Sequence, residues 1–400
     1  MRVLLSAYAC EPDRGSEPEI GWQRVLHMCA RAEEVWVITR SNNRAVIEAS
    51  ASGRNANLHF IYFDLPTWML KLKKRAWFFP LYLVFWQWGA YRIAAAYHRV
   101  HQFDAVYHIT FSTIRFGSFM GRLRIPFIVG PIAGGERAPF RLRKSMPIKC
   151  KMKELLRDFG IVFQRYSPLT RSALSAADRI YVTTSSSLLL ISSKWHYKTL
   201  VQLSIAICGS ETQTNRRELL KSPRFVFAGR LVYWKGVHFA IRALAEARKS
   251  LSSATLTLIG SGPDEPQLRD LAIEYKVADA VKFTGQLPRQ QLVNSLSSYT
   301  AFVFPSLHDS GGSVVLEALQ KGVPVICLDL GGPGVMVNAC CGIAVSTSGA
   351  DETKIVAEIA SAMISLAQMP AKESELLSSG AIARANELSW TALTERVTQR

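Results

Sequence analysis

Short runs rich in β-branched and aromatic residues recur along the whole chain, each followed by a stretch long enough for a helix. In the first half they are VLLSAY (3–8), EVWVIT (34–39), LHFIYF (58–63), AVYHIT (105–110), PFIVGP (126–131) and ADRIYVTT (177–184). The second half restarts the pattern with RFVFAG (224–229), ATLTLIG (254–260), AVKFTG (280–285), AFVFPS (301–306) and PVICLD (324–329). Such alternation predicts βαβ units and a parallel sheet. A chain of 400 residues exceeds one ordinary core, and the polar stretch GSETQTNRRELLKSP (209–223) carries no core pattern. The expected architecture is α/β: two Rossmann-like, doubly wound domains, 1–208 and 224–384, facing across a cleft. The stretch 209–223 would link them, and 385–400 forms a last helix free to return to the first domain. The cleft is then the default ligand site.

A hydrophobic share of 48% with 20% charged residues describes a globular chain. The net charge of +17 suits nucleic acid, an anionic membrane surface or a phosphorylated substrate. No nucleic-acid-binding module is recognisable, which disfavours the first. The basic residues concentrate in two places, Lys71 to Arg75 and Arg137 to Lys153. Between them, AWFFPLYLVFWQWGAYRIAAAY (76–97) is long enough to raise a membrane question, but Pro80, Gln87 and Arg92 interrupt it. It reads either as a core helix or as an interfacial one with Trp86, Trp88 and Tyr91 at the lipid boundary. The opening run RVLLSAYAC is short and leads straight into the fold pattern, so no signal peptide is expected. The seven cysteines lack zinc spacing and read as reduced thiols of a cytoplasmic protein.

The chemistry-bearing motifs sit where strands meet helices. In HDSGGSVVLEAL, Asp309 and Glu317 flank Ser310, Gly311, Gly312 and Ser313, whose backbone N–H groups open a helix. That arrangement suits an anionic ligand, with Glu317 one turn in and able to meet hydroxyls. A capped turn whose acids complement the helix dipole explains the same residues. In FAGRLVYWKG, Arg230 and Lys235 precede a helix and form a candidate diphosphate clamp, or else a solvated basic turn. Gly260 and Gly262 of LIGSGPDEPQL allow close approach of a nucleotide, or serve the backbone alone. In TGQLPRQQL the backbone of Gln286 and Leu287 is available to a base.

Nearer the amino terminus, Gly15 and Ser16 of CEPDRGSEPEIGW can bring N–H groups to a phosphate. Glu17 and Glu19 can bind hydroxyls or simply occupy the first turn of a helix. His108, near a strand end, can donate to a sugar hydroxyl or be a satisfied structural residue. Gly134 and Gly135 of GPIAGGE, with Glu136, make a second glycine turn on the acceptor side.

Taken together, these motifs resemble the retaining, nucleotide-sugar-dependent glycosyltransferases of family 4 (group 1), which have the GT-B fold. The resemblance spans nearly the whole length and is densest from Arg224 to Pro333. CEPDRGSEPEIGW and GPIAGGE are similar to a subgroup found in bacterial polysaccharide gene clusters. The resemblance implies that Arg230 and Lys235 hold the donor diphosphate, that Glu317 binds the ribose hydroxyls and that Asp309 approaches the donor sugar. Asp309 stands where the family usually has glutamate. Gly15 falls beside the phosphates and His108 near the sugar. The implied reaction is hexosyl transfer with retention from a nucleoside-diphosphate sugar to a glycan or lipid-linked glycan, in exopolysaccharide or lipopolysaccharide synthesis. No metal and no cofactor are expected, the nucleotide sugar being a substrate, and the enzyme is expected at the cytoplasmic face of an anionic inner membrane. Competing expectations are a noncatalytic nucleotide-sugar-binding protein and a GT-B epimerase or phosphorylase.

Overall fold

The computed structural model describes residues 1–12, 14–50, 53, 55–208 and 222–398, with the backbone alone for Ser16 and 396–398. The chain folds as two compact units. One comprises residues 1–135, 158–205 and 393–400, the other 136–157 and 206–392.

The first unit is built on strands β1 (Arg2–Ala7), β2 (Glu34–Thr39), β3 (Leu58–Tyr62), β4 (Ala105–Thr110), β5 (Phe127–Ile132), β6 (Arg179–Val182) and β7 (Thr199–Val201). They form one parallel sheet in the order β3-β2-β1-β4-β5-β6-β7. Side chains of a strand alternate between its faces, and β1 shows the result. Leu4 joins the core beneath one face with Trp86 and Tyr82, while Val3 and Leu5 join Trp22 and Val25 beneath the other. Both faces are therefore covered, as an all-parallel sheet requires.

The helix Phe79–His101 settles the aromatic stretch. Tyr82, Leu83, Trp86, Gln87, Ala90 and Ala94 are buried along it, and the Trp86 indole donates to the Phe63 carbonyl at 3.1 Å. Trp86 is thus a core residue and not a lipid-boundary one, whereas Trp77, Leu81, Phe85 and Trp88 remain exposed. Among the described residues, no helix is long and apolar enough to cross a membrane.

The second unit repeats the design with β8 (Arg224–Ala228), β9 (Thr255–Ile259), β10 (Val281–Gly285), β11 (Ala301–Phe304), β12 (Val325–Leu328) and β13 (Gly342–Val345). Their order is β10-β9-β8-β11-β12-β13, again all parallel. Residues 136–157 belong to this unit although the sequence reading drew the first domain to 208. Polar ties hold them: Ser145 N–H donates to Glu352 at 2.8 Å and the Arg141 guanidinium to the Gly349 carbonyl at 3.0 Å. At the other end of the chain, residues 393–400 belong to the first unit. The expected linker 209–223 lies almost wholly outside the described residues.

Candidate active site

In a doubly wound sheet the strand order reverses at one point, and ligands bind beyond the carboxyl ends of the strands that meet there. In the second unit these strands are β8 and β11. The loop after β8 carries Arg230 and Lys235, and the loop after β11 carries Asp309. Lys235 ends the short turn Tyr233–Lys235, and its ammonium forms an ion pair with the Asp309 carboxylate. Side-chain exposures of 19% and 16% place this pair mostly out of water. Asp309 also accepts from Gly311 N–H at 3.2 Å, and the Lys235 ammonium lies 4.9 Å from the centre of the Phe304 ring. Arg230 is exposed and lines a cavity of about 150 Å³ with Lys153, Glu154, Tyr233, Trp234 and Asp264.

Ser310, Gly311 and Gly312 lead into the helix Ser313–Gln320, for which Gly312 is the N-cap at φ 88. Among the described residues, no acid lies in its first turn and no side chain caps it. Glu317 is 5% exposed. One of its oxygens accepts from the Arg289 guanidinium, with Nε and Nη2 both at 3.0 Å. Burial raises the Glu317 carboxyl above the ordinary range, and Arg289 offsets part of that rise. The sequence reading missed Arg289, taking from its loop only the backbone of Gln286 and of the half-buried Leu287. An arginine 28 positions from its partner leaves no local signal.

Gly260 and Gly262 have a backbone reason to be glycine. A Cβ on Gly260 would stand 1.9 Å from the Gly229 carbonyl oxygen, and one on Gly262 would stand 2.0 Å from that of Leu231. The loop after β9 thus lies directly against the loop that carries Arg230, an approach any side chain would block.

A second missed feature braces the same loops. His308 is buried and hydrogen-bonded to Glu154 at 2.8 Å, and its ring stacks on Trp234 with centroids 5.7 Å apart. The Trp234 carbonyl accepts from Leu307 N–H at 2.7 Å and from the Ser306 hydroxyl at 3.1 Å. Burial alone would raise the Glu154 carboxyl. The His308 bond and the nearby Arg157 and Arg143 outweigh it, and the group titrates below the usual range. A larger cavity, about 650 Å³, shares Tyr233 and Asp264 with the smaller one but contains none of Arg230, Lys235, Asp309 or Glu317.

The first unit reverses its strand order between β1 and β4, and its polar groups there are turned inward. His108 stands within β4, 2% exposed. Among the described residues its Nδ1 has no hydrogen-bond partner, and burial lowers its pKa to about 4. It is a neutral imidazole. Gly15 is the N-cap of the helix Ser16–Cys29, with φ 67; the Ser16 side chain lies outside the described residues. Glu17 accepts from both the N–H and the hydroxyl of Ser112, and Glu19 accepts from Gln23 at 2.7 Å. Both acids are therefore engaged within their own unit. Gly135 packs against the backbone of Ser186 and Ser187, while Gly134 has open space at its Cβ position. Glu136 is buried and belongs with the second unit.

Residues 210–371 match the family model of glycosyl transferases group 1. The matched span falls within the second unit. Among curated relatives, a glycogen synthase from Mycobacterium tuberculosis is 36% identical over 129 residues, which is 32% of this chain and 31% of that protein. A GDP-mannose-dependent monoacylated alpha-(1-6)-phosphatidylinositol monomannoside mannosyltransferase from Corynebacterium glutamicum is 31% identical over 184 residues, 44% of this chain and 46% of that one. The chain thus matches about a third to a half of the length of these relatives. Among solved structures, the apo lipopolysaccharide outer core galactosyltransferase WaaB aligns over 99% of this chain and 98% of its own, with a TM-score of 0.63 at 13% identity. That likeness concerns the fold. The two units have the GT-B architecture.

Proposed function

We propose that this protein is a glycosyltransferase. It moves a hexosyl group from a nucleoside-diphosphate sugar to a saccharide acceptor, with retention of anomeric configuration. The observation that carries the reading is the grouping at the switch point of the second sheet. Lys235 and Asp309 touch, Arg230 is exposed in the same loop as Lys235, and Glu317 follows on the helix that Asp309 introduces. The family match to residues 210–371 supports the same reading.

The chemistry follows from charge. As the bond to the anomeric carbon breaks, positive charge grows on the sugar and negative charge on the leaving diphosphate. Arg230 and Lys235 meet the second, and the N–H groups opening the helix Ser313–Gln320 add to them. Lys235 must first loosen from Asp309, so an arriving diphosphate frees that carboxylate to accept from a sugar hydroxyl. Glu317 is proposed to accept from the ribose hydroxyls. Retention then proceeds by substitution on one face of the sugar, the departing phosphate oxygen taking the acceptor proton. The stabilising charges come from side chains, so the step needs no metal. His108, neutral at ordinary pH, would act on a sugar as a hydrogen-bonding group and not as a cation. The acceptor we favour is a lipid-linked saccharide destined for a surface polysaccharide.

The test is hydrolysis and transfer with a panel of nucleotide sugars, comparing the native chain with Arg230→Ala and Glu317→Ala. Turnover of one donor, lost in Arg230→Ala and moved to much higher donor concentration in Glu317→Ala, is the expected result. Binding of a donor with no turnover on any acceptor would favour the noncatalytic reading. Absence of donor binding would remove the proposal.

A further inference from the structure

The helix Ile148–Tyr166, which runs from the second unit into the first, carries an exposed apolar stripe. Ile148, Met152, Leu155, Leu156, Phe159 and Phe163 are all well exposed, Phe159 at 70% and Phe163 at 68%. Val162 and Tyr166 extend the same face. At 3.6 residues per turn these positions fall within an arc of roughly 120°. Lys149 and Lys151 flank that arc on its two sides and are exposed. The opposite face points inward, with Glu154, Ile161 and Gln164 buried. Just ahead of the helix, Phe140 is the most exposed large apolar residue among those described, at 87%, and stands in sequence among Arg137, Arg141 and Arg143. From 137 to 166 there are nine Lys or Arg residues against two acids, Glu154 and Asp158, and Glu154 is bound to His308.

We infer that this helix is a docking surface for an anionic lipid bilayer, lying in the plane of the interface with its stripe among the acyl chains. Soluble proteins seldom leave so many large apolar side chains in one contiguous patch. A straight, one-sided stripe with cations along its edges suits the boundary between headgroups and acyl chains, where apolar area and positive charge both contribute. A second copy of the chain fits worse. Stripe against stripe would bring the flanking lysines of two copies together, with only Asp158 as a near acid to offset them. The aromatic stretch at 76–97 differs in kind, since Tyr82, Leu83 and Trp86 are buried in the core while Trp77, Leu81, Phe85 and Trp88 are exposed. The inference stands apart from the transfer chemistry, since it uses none of the residues assigned to the donor.

The test is flotation of the whole chain with vesicles of phosphatidylcholine mixed with phosphatidylglycerol, and with phosphatidylcholine alone. The native chain is expected to float with the anionic vesicles and to be weakened by salt. The triple variant Leu156→Ser, Phe159→Ser, Phe163→Ser should lose roughly tenfold or more of that binding while melting at the native temperature. The pair Lys149→Glu, Lys151→Glu should lose the preference for anionic lipid. Trp77→Ser with Leu81→Ser, on the other aromatic surface, should float as the native chain does. Three results would overturn the inference. These are a native chain that ignores anionic vesicles, helix variants that both bind like the native chain, and a native dimer that the serine variant splits without any vesicle binding. If the serine variant fails to fold, the lysine pair and the salt dependence decide.

Discussion

The two sheets have the same winding, yet their switch points are furnished differently. Between β1 and β4 the polar side chains look inward: His108 is neutral and buried, Thr110 exchanges hydrogen bonds with the Ala9 backbone, and Glu17 is tied to Ser112. Between β8 and β11 they remain available. Arg230 is exposed, and Lys235 and Asp309 are held by each other. The same topology thus yields one reversal whose polar groups hold the fold together and one whose charges can be handed to a ligand. Charge that is only provisionally neutralised is what a diphosphate site needs.

The largest effect expected from that difference is at Arg230. Arg230→Ala should lower kcat by roughly 10²–10³, about 3–4 kcal/mol of barrier, as loss of one preorganised charge contact does. The melting temperature should stay within a degree or so, because an exposed surface change costs little. Steady-state kinetics beside a thermal melt checks both. A loss of stability equal to the loss of activity would place Arg230 with the inward-turned groups of the first sheet.

Next comes the pair itself. Lys235→Met leaves the Asp309 carboxylate mostly buried without its cation and should destabilise the second unit by about 3 kcal/mol. Adding Asp309→Asn should recover more than half of this. Denaturant melts of the two single variants and the double variant read the coupling directly. Additive losses would mean the pair is not held in solution.

Much of this was legible in the sequence. Every apolar run read as a strand is one, because buried parallel strands are continuous in hydrophobicity and bounded by turn residues. The two strands not foreseen are both sheet edges. Thr199–Val201 is only three residues long and largely exposed, and Gly342–Val345 opens on a glycine, so neither carries a core signature. The motif residues of the second unit are legible because βα turns bring them together locally. Residues 136–157 were misassigned, since their anchors, such as Glu352 for Ser145 and His308 for Glu154, lie far along the chain. Pairings at that separation are set by packing and leave no periodic trace.

His108 offers a pH test of the inward-turned side. An unfolded imidazole titrates near 6.5 and the buried one near 4. Above pH 6.5 neither state holds the proton and the contribution is constant. As pH falls from 6.5 toward 4, the unfolded chain takes up a proton that the folded one refuses, so stability drops. The drop should total about 3 kcal/mol. His238 in the second unit is depressed in the same way, to about 3, so the measurement must follow each variant against the native chain. Urea melts from pH 4 to 7 should show a shallower acid decline in His108→Phe than in the native chain. Equal slopes would mean that His108 takes up its proton in the folded state, and it would then belong with the available charges.

The smallest effect concerns Arg289, whose own side chain is mostly exposed although its partner Glu317 is buried. An exposed guanidinium contributes modestly through water, so Arg289→Ala should change stability by about 1 kcal/mol or less. Its consequence is directional. Without the cation, burial acts alone on Glu317 and its carboxyl moves further up. A protonated Glu317 can still accept from a ribose hydroxyl, though more weakly than a carboxylate. The donor KM of Arg289→Ala should therefore rise toward acid pH more steeply than that of the native chain, with kcat nearly unchanged, because ribose contacts are made equally in ground and transition states. Glu317→Gln in the same background should flatten that pH dependence. A fall in kcat with KM unmoved would show instead that Arg289 reaches the leaving diphosphate, and would add a third cation to the outward-turned side of the comparison.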